Sequence, residues 1–322
     1  MSPELPPPLR AAVDRELAGA SRRDLAERTQ ATTAAYRSGR TSAAAIKSSG
    51  DALAYALARM PATYAACASV FAEAQRIAPA FAPATLLDAG CGPGTGSWAA
   101  TEAWPSLAAV TWFDASAPFL DLASRLAGEG PAAVRAARTT RGDLTTGPFP
   151  AADLVLASYA LAEIAPAAQA DLIARLWAAT GGVLALVEPG TPAGYQRILA
   201  ARDVLIAADA TILAPCPHHA ACPLVAPDWC HFSVRLSRSR DHRLAKGADA
   251  PFEDEKFAYL LAARPQVAAE PRTPRVLARP RAGKPGIALK LCTPDGLEQR
   301  FVGKRDKAAH AVARRLDWGD AL

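Results

Sequence analysis

The chain has 322 residues, 51% of them hydrophobic, and 36 Lys and Arg against 31 Asp and Glu give a formal net charge of +5 at pH 7. This composition is globular and excludes a wholly disordered chain. Charges, proline or glycine interrupt every apolar run before the roughly 18 residues that a membrane span needs. Because the start, MSPELPPPLR, also has no apolar signal-peptide core, we expect a soluble cytoplasmic protein of bacterial type.

The first 81 residues predict several helices, because Ala, Leu and Arg are frequent and apolar positions recur at three- and four-residue steps. Residues 82–210 alternate short apolar strands with helices. That alternation predicts an α/β fold built on a doubly wound parallel sheet with right-handed crossovers.

The rest of the chain predicts an appendage to this domain. Residues 211–250 have no periodicity and contain a Cys-rich loop. Residues 251–322 predict a short helix or turn in FEDEKFAYLLAAR that leads into a sixth strand. A basic β-hairpin around Pro294-Asp295-Gly296 and a final helix follow.

Charge is distributed unevenly between these parts. Residues 1–230 hold 17 basic and 20 acidic residues, whereas residues 231–322 hold 19 basic and 11 acidic residues. A basic C-terminal third indicates a polyanionic partner, most simply nucleic acid. The alternative is a basic face in contact with solvent only.

A glycine-rich turn, DAGCGPGTG, follows the first predicted strand. Glycine is needed where a backbone turns tightly and comes close to a ligand. The dinucleotide fingerprint fails in the natural register, because Thr95 stands where the third glycine should be. The acidic residue before the glycines resembles instead the first motif of class I S-adenosylmethionine-dependent methyltransferases.

Residues after the later strands agree with that resemblance. Asp114 ends the second strand, where an acidic side chain would accept both ribose hydroxyls. The resemblance implies that Asp143 lies near adenine and that Ser158 and Tyr159 face the methionine end. The predicted S-adenosylmethionine site comprises Asp88, Gly90, Cys91, Gly92, Gly94, Asp114, Asp143, Leu144, Ser158 and Tyr159. The alternative is a Rossmann-like domain with an empty site.

The sequence identifies no catalytic residue. The Asn/Asp-Pro-Pro-Tyr/Phe element of many N-methyltransferases is replaced after the fourth strand by Ser158-Tyr159-Ala160-Leu161. Glu163 and Glu188 are carboxylates near strand ends. Either could act as a base, although capping or exposed carboxylates are common at such positions.

Three cysteines lie within fifteen residues, at Cys216, Cys222 and Cys230, and Cys292 on the predicted hairpin is a candidate fourth ligand. Thiolates are soft ligands, and three or four convergent thiolates hold Zn²⁺ or an iron–sulfur cluster. The residue types alone leave open a [4Fe–4S] cluster, a zinc site completed by a histidine, or unliganded thiols. The gaps do not match the short Cys-x₂-Cys pairs of common zinc folds, which favours a cluster.

At these residues the chain resembles a methyltransferase-like family associated with the small ribosomal subunit, with mitochondrial members and bacterial homologues. The resemblance rests on CPHHAACPLVAPDWCHF, LVEPGTPAGYQRILAARD and the closing RRLDWGD, and spans roughly residues 50–322. It implies a class I methyltransferase fold, bound S-adenosylmethionine and a [4Fe–4S] cluster on Cys216, Cys222, Cys230 and Cys292.

The resemblance also implies a role at the small subunit, as either an rRNA methyltransferase or a non-catalytic assembly factor. A small-molecule methyltransferase is a third possibility. Aromatic residues beside a basic run predict a loop that contacts rRNA, because arginine pairs with phosphate and rings stack on unpaired bases. The alternative is that Trp229 and Phe232 shield the cluster while the cations are solvated. The cations of this run are Arg235, Arg238, Arg240, Arg243 and Lys246.

Overall fold

Helices form the N-terminal part of the computed structural model, which describes residues 3–37 and 41–322. They are α1 (Pro7–Leu17), α2 (Arg22–Arg37), α3 (Ser42–Ala45) and α4 (Ser49–Ile77). Helix α4 begins where the Ser48 hydroxyl accepts a hydrogen bond from the backbone N–H of Asp51 at 3.2 Å, which satisfies one free donor of the first turn. Small buried alanines along α4 allow it to pack closely against its neighbours.

Strands and helices then alternate. The strands of the central sheet are β1 (Thr85–Ala89), β2 (Ala109–Asp114), β3 (Arg138–Arg141), β4 (Ala152–Ser158), β5 (Thr180–Pro189), β6 (Thr211–Ala214), β7 (Phe232–Ser237) and β8 (Phe252–Ala263). The helices of this part are α5 (Thr95–Ala103), α6 (Ala117–Leu126), α7 (Ala132–Arg135), α8 (Pro166–Ala179), α9 (Pro192–Ala207) and α10 (Arg240–Lys246).

The sheet has the strand order β3-β2-β1-β4-β5-β8-β6, and β7 pairs with β8. Strands β1 to β5 are parallel, and the reversal of order beside β1 is that of a doubly wound nucleotide-binding sheet. Strand β8 is antiparallel to β5 and lies between β5 and β6. This inserted antiparallel strand distinguishes the class I methyltransferase fold from the dinucleotide-binding fold.

Strand β8 corrects one sequence prediction. The stretch FEDEKFAYLLAAR does not begin with a helix or turn, because Phe252–Ala263 is one continuous strand. Its charged first half alternates between exposed and half-buried positions and pairs with β7, while its apolar second half is buried beside β5. The interval 211–250 is also more regular than its lack of periodicity indicates, because it contains β6, β7 and α10.

A second, smaller sheet follows. It is antiparallel and contains β9 (Arg275–Val276), β10 (Arg281–Ala282), β11 (Gly286–Thr293) and β12 (Gly296–Gly303), before helix α11 (Lys307–Ala313). Strands β11 and β12 form the hairpin expected at Pro294-Asp295-Gly296. From here on, the word appendage denotes residues 272–322 alone. The appendage has a small apolar core of its own, which includes Ile287, Leu289 and Leu291.

Apolar side chains are buried on both faces of the central sheet. One core packs the sheet against α1, α4, α5 and α6, and the other packs it against α8 and α9. The loops at the carboxyl ends of β1, β2 and β4 therefore project from a rigid sheet that is covered on both sides.

Among the described residues, no helix is both long enough and apolar enough to cross a bilayer.

Candidate cofactor pocket and cysteine centre

The glycine turn after β1 borders a pocket. Gly90, Gly92 and Gly94 have φ angles of 75°, 53° and 78°, in the left-handed region that favours glycine. A Cβ atom at Gly90 would lie 3.0 Å from the Cβ of Ala160, in the turn after β4. The turn therefore presents bare backbone to the pocket, as a loop that contacts a ligand must.

Asp114, at the end of β2, connects this turn to the next strand. One carboxylate oxygen accepts the backbone N–H of Gly92 at 2.8 Å, and the other accepts the N–H of Ser116 at 2.8 Å. Burial raises the pKa of the Asp114 carboxyl, and the hydrogen bonds from these backbone groups oppose that rise. The carboxylate is thus fixed in position at the edge of the pocket.

The structure brings seven of the ten predicted cofactor residues to one pocket. They are Gly90, Gly92, Asp114, Asp143, Leu144, Ser158 and Tyr159. The other three, Asp88, Cys91 and Gly94, do not line it. Asp88 is fully buried, and its carboxylate accepts a hydrogen bond from the Ser97 hydroxyl at 2.7 Å. Burial raises the pKa of Asp88 to about 7.

Two carboxylates that the sequence suggested as bases have protein partners. Glu163 lines the pocket and accepts the backbone N–H of Ser42 at 2.8 Å. Glu188 is buried at the end of β5 and pairs with Arg197 at 2.5 Å. Burial raises the pKa of both carboxyls. Both carboxylates are therefore held by partners within the protein.

Sequence reasoning missed the contribution of the N-terminal helices to this pocket. Thr41, Ser42 and Tyr55 are among the residues that line it. The Tyr55 ring meets the Phe119 ring edge-on, with centroids 4.9 Å apart. The helical periodicity of residues 49–77 indicates only that one face is buried, so it carries no signal for this role.

The four predicted ligand cysteines line a second cavity, which is separate from the pocket bordered by the glycine turn. Cys216, Cys222 and Cys230 come from the segment between β6 and β7, and Cys292 comes from β11 of the appendage. Burial raises the pKa of the Cys230 thiol, and the other three sulfurs raise it further. All six cysteines of the chain are free thiols.

The histidines near this cavity have different partners. Nε2 of His218 lies 3.5 Å from Sγ of Cys292, whereas Nε2 of His219 accepts the backbone N–H of Ile212 at 3.1 Å. His231 stacks on Trp229, with ring centroids 4.8 Å apart. Within residues 3–37 and 41–322, no three or more His, Cys, Asp or Glu side chains are arranged to hold a single metal ion.

Most of the predicted RNA-contacting loop is engaged within the protein. Arg235 pairs with Asp254 across β7 and β8 at 2.7 Å, and Arg238 and Lys246 both pair with Glu253. Phe232 is buried, and the Trp229 indole N–H donates to the carbonyl of Gly190 at 3.1 Å. The acidic first half of β8 therefore neutralises cations that the sequence left free for phosphate.

The fold and the glycine-bordered pocket define a protein of the class I methyltransferase fold. The chain belongs to the family described as "Mitochondrial small ribosomal subunit Rsm22", which matches residues 49–322. It is 32% identical over 294 residues to the human "Ribosome assembly protein METTL17, mitochondrial", and the match covers 85% of this chain and 62% of that protein. These findings confirm the family resemblance inferred from the sequence.

Two further similarities are more distant. The chain is 26% identical over 321 residues to "Rsm22-cox11 tandem protein 2, mitochondrial" of Schizosaccharomyces pombe, covering 83% of this chain and 42% of that protein. It thus spans 62% and 42% of the two relatives' lengths. The magnesium protoporphyrin IX methyltransferase (ChlM) of Synechocystis PCC 6803 with bound SAM aligns at 18% identity and a TM-score of 0.43, covering 63% of this chain and 80% of that one.

These comparisons contradict one sequence prediction. We expected a cytoplasmic protein of bacterial type from the lack of an apolar N-terminal core. The family description and the names of both relatives instead designate mitochondrial proteins. The expectation failed because it rested only on what the first residues lack.

Proposed function

We propose that this chain is a small-subunit assembly factor that binds S-adenosylmethionine, holds a [4Fe–4S] cluster and contacts rRNA. The observation that carries the proposal is the family match over residues 49–322, which includes the glycine turn, the cavity that the four cysteines line and the appendage. A relative in this family is named as a ribosome assembly protein.

The pocket residues suit S-adenosylmethionine. The bare backbone of the glycine turn would approach the amino-acid part of the cofactor, and the Asp114 carboxylate would accept its ribose hydroxyls. Asp143, Leu144 and Tyr159 line the same pocket; Asp143 and Leu144 would contact the adenine, and Tyr159 would face the methionine end. When bound, S-adenosylmethionine supplies an electrophilic methyl group; the residues of this chain bind and orient the cofactor.

The cysteine cavity suits a four-thiolate cluster better than one zinc ion. A single Zn²⁺ needs its sulfurs converged at about 2.3 Å from the metal, and the described residues contain no such group of three. In a [4Fe–4S] cluster each iron takes one thiolate, so the four sulfurs stand around a larger centre. Four thiols around one cavity, from two separate segments, fit that requirement.

The appendage is the best candidate for the rRNA-facing surface. Residues 272–322 contain 12 basic and 5 acidic residues. Ion pairs engage Arg275, Lys290 and Arg300. The remaining cations are exposed at Arg272, Arg279, Arg281, Lys284, Lys304, Arg305, Lys307, Arg314 and Arg315. The exposed Phe301 ring on β12 adds a surface on which an unpaired base could stack.

Methyl transfer to rRNA is the second candidate function. One observation favours it: another cavity adjoins the cofactor pocket and shares Tyr55, Tyr159 and Glu163 with it. This cavity offers space for an acceptor beside the expected position of the methyl group. No described side chain in it is an evident base, because Glu163 is held by Ser42.

Replacing Asp88 and Gly90 separates the two functions. The change should abolish cofactor binding, because Gly90 has a left-handed φ and Asp88 anchors the turn through Ser97. Lost small-subunit maturation with every rRNA methyl mark retained supports the assembly factor and excludes the methyltransferase. Loss of a single methyl mark together with maturation supports the enzyme instead.

A further inference from the structure

Helix α9 directs two polar side chains at the cysteine cavity. Tyr195 and Arg202 are seven residues apart, which is two helical turns, so they lie on one face of the helix. Both line the cavity together with the four cysteines, and they are 4% and 1% exposed. Polar groups buried to this extent need partners, because an unpaired one costs free energy.

Arg202 is a buried cation whose hydrogen bonds go to backbone carbonyls rather than to a buried carboxylate. Its Nη2 donates to the carbonyl oxygens of His218 at 2.9 Å and Ala220 at 2.7 Å. The nearest acid, Asp203, is 3.7 Å from Nη1, and its side chain is 77% exposed. Within the described part of the chain, the buried Nε–H of Arg202 has no hydrogen-bond partner. Its positive charge is therefore balanced only weakly, by a long ion pair to a largely exposed carboxylate.

A second buried arginine, Arg275, lies next to this cavity and donates to the carbonyl of Pro215, which lines it. Arg275 is 3% exposed and donates to the carbonyl of Gly319 at 2.8 Å, but it also forms a short contact with the Glu73 carboxylate. Arg275 thus has a close carboxylate partner, Glu73, which it shares with Arg76. Arg202 is the less compensated of the two buried charges, and burial of a poorly compensated charge is unfavourable.

The groups that could compensate Arg202 are the cysteine sulfurs. Cys216, Cys222, Cys230 and Cys292 line the same cavity as Arg202. The Tyr195 hydroxyl lies 3.1 Å from Sγ of Cys222. A metal-bound thiolate carries no proton, so in that state the tyrosine must be the donor of this hydrogen bond.

We propose that Arg202 and Tyr195 are positioning residues of the four-thiolate centre. The Arg202 guanidinium balances part of its negative charge, and the Tyr195 hydroxyl donates to Cys222. This inference rests on the proposed function. Hydrogen bonds and positive charge at the sulfurs of an iron–sulfur cluster stabilise its more negative, reduced form and so raise its reduction potential.

The test uses the full chain, purified without oxygen, as wild type, Tyr195→Phe, Arg202→Lys and Arg202→Met. Gln196→Ala is the control, because Gln196 is an exposed residue of the same helix. Iron and sulfide content, the reduction potential from a titration followed by electron paramagnetic resonance, and the rate of iron loss to a chelator are measured for each protein.

We expect Tyr195→Phe and Arg202→Met to lower the reduction potential of the cluster by about 59 mV. For one electron, this is a tenfold shift of the equilibrium toward the oxidised form. Arg202→Lys should recover most of the shift, since it retains the charge. Arg202→Met should also lose iron faster. Potentials and iron-loss rates equal to wild type in both Tyr195→Phe and Arg202→Met proteins with full clusters would overturn the inference. A wild type without iron and sulfide would instead overturn the proposed function, and the inference with it.

If Arg202→Met does not fold, Tyr195→Phe decides the matter, because it removes one hydroxyl and leaves the ring packing intact. An unchanged potential in Tyr195→Phe with a full cluster would then contradict the assigned hydrogen bond. A potential that falls in Tyr195→Phe but not in Gln196→Ala supports it.

Discussion

The carboxylate of Asp114 accepts the backbone N–H of Gly92 at 2.8 Å, which joins the end of β2 to the glycine turn after β1. The same carboxylate borders the pocket proposed for S-adenosylmethionine. We therefore propose two roles for Asp114: it holds the glycine turn in its left-handed conformation, and it presents oxygen atoms to the ribose of the cofactor.

Asp114→Ala should weaken S-adenosylmethionine binding by about ten- to a hundredfold, because a hydrogen bond to a charged group contributes roughly 1.5–3 kcal/mol. Isothermal titration calorimetry measures the change. Asp121→Asn, at an exposed position on α6, is the matched control and should bind normally. Equal affinity of Asp114→Ala and wild type would place the cofactor elsewhere or exclude it.

Cys292→Ser should reduce the iron and sulfide content as much as Cys216→Ser does, because a four-thiolate cluster needs each of its ligands. Cys67→Ala is the control, since Cys67 is packed within α4 and does not line the cysteine cavity. Metal analysis of anaerobically purified proteins measures the effect. Normal iron in Cys292→Ser would show that the appendage does not provide the fourth ligand.

The double variant Lys304→Glu/Arg305→Glu should weaken rRNA binding and make it less dependent on salt. The slope of the logarithm of the binding constant against the logarithm of the salt concentration should change by roughly 0.9 for each phosphate that the protein no longer neutralises. Both side chains are exposed in the basic appendage. The comparison variant is Arg235→Gln, because Asp254 already neutralises Arg235. Filter binding at several salt concentrations provides the slopes. If Arg235→Gln loses more affinity than the double variant, the RNA-binding surface lies at the basic run around Arg235 and not on the appendage.

His242 predicts a pH-dependent stability. It is 1% exposed, and its pKa is lowered to about 4, mainly by burial; the charges of Lys246 and Arg238 contribute to this lowering, and Glu253 opposes it. The unfolded chain, with a histidine pKa of about 6.5, takes up the proton first as pH falls. Neutral His242 therefore makes its full contribution to the free energy of unfolding above about pH 6.5. Roughly 3 kcal/mol of that free energy is lost as pH falls to about 4.

Replacing this histidine should remove that part of the pH dependence. His242→Leu should show a smaller fall in the free energy of unfolding between pH 6.5 and pH 4.5 than wild type, as measured by urea denaturation. His310→Leu, outside this buried cluster on α11, serves as the control. If His242→Leu and wild type lose stability in parallel, His242 is protonated in the folded state.

The sequence predicts the parts of the site that depend on local backbone chemistry. Glycines after an apolar strand indicate a tight turn wherever they occur, and Asp114 is found at a strand end because the apolar run stops there. Cross-strand pairing is not visible in this way. Nothing in the sequence shows that Asp254 stands opposite Arg235, so a run of cations was interpreted as free for RNA.

The N-terminal contribution was hidden for a related reason. Tyr55 occupies an ordinary position in the helical pattern of α4, and only the packing of α4 on the rest of the fold brings it to the cofactor pocket. The first half of β8 was misinterpreted because its exposed charges are typical of a helix or turn. In the structure these charges form ion pairs with Arg235 on the partner strand β7 and with Arg238 directly after it.

The central claim is that Cys216, Cys222, Cys230 and Cys292 together hold an iron–sulfur cluster in this methyltransferase fold. An anaerobic absorption spectrum with metal and sulfide analysis of the purified chain tests it most directly. We predict a brown protein with about four iron and four sulfide per chain, as a [4Fe–4S] cluster requires. A colourless protein with stoichiometric zinc, prepared under the same conditions, would contradict the claim.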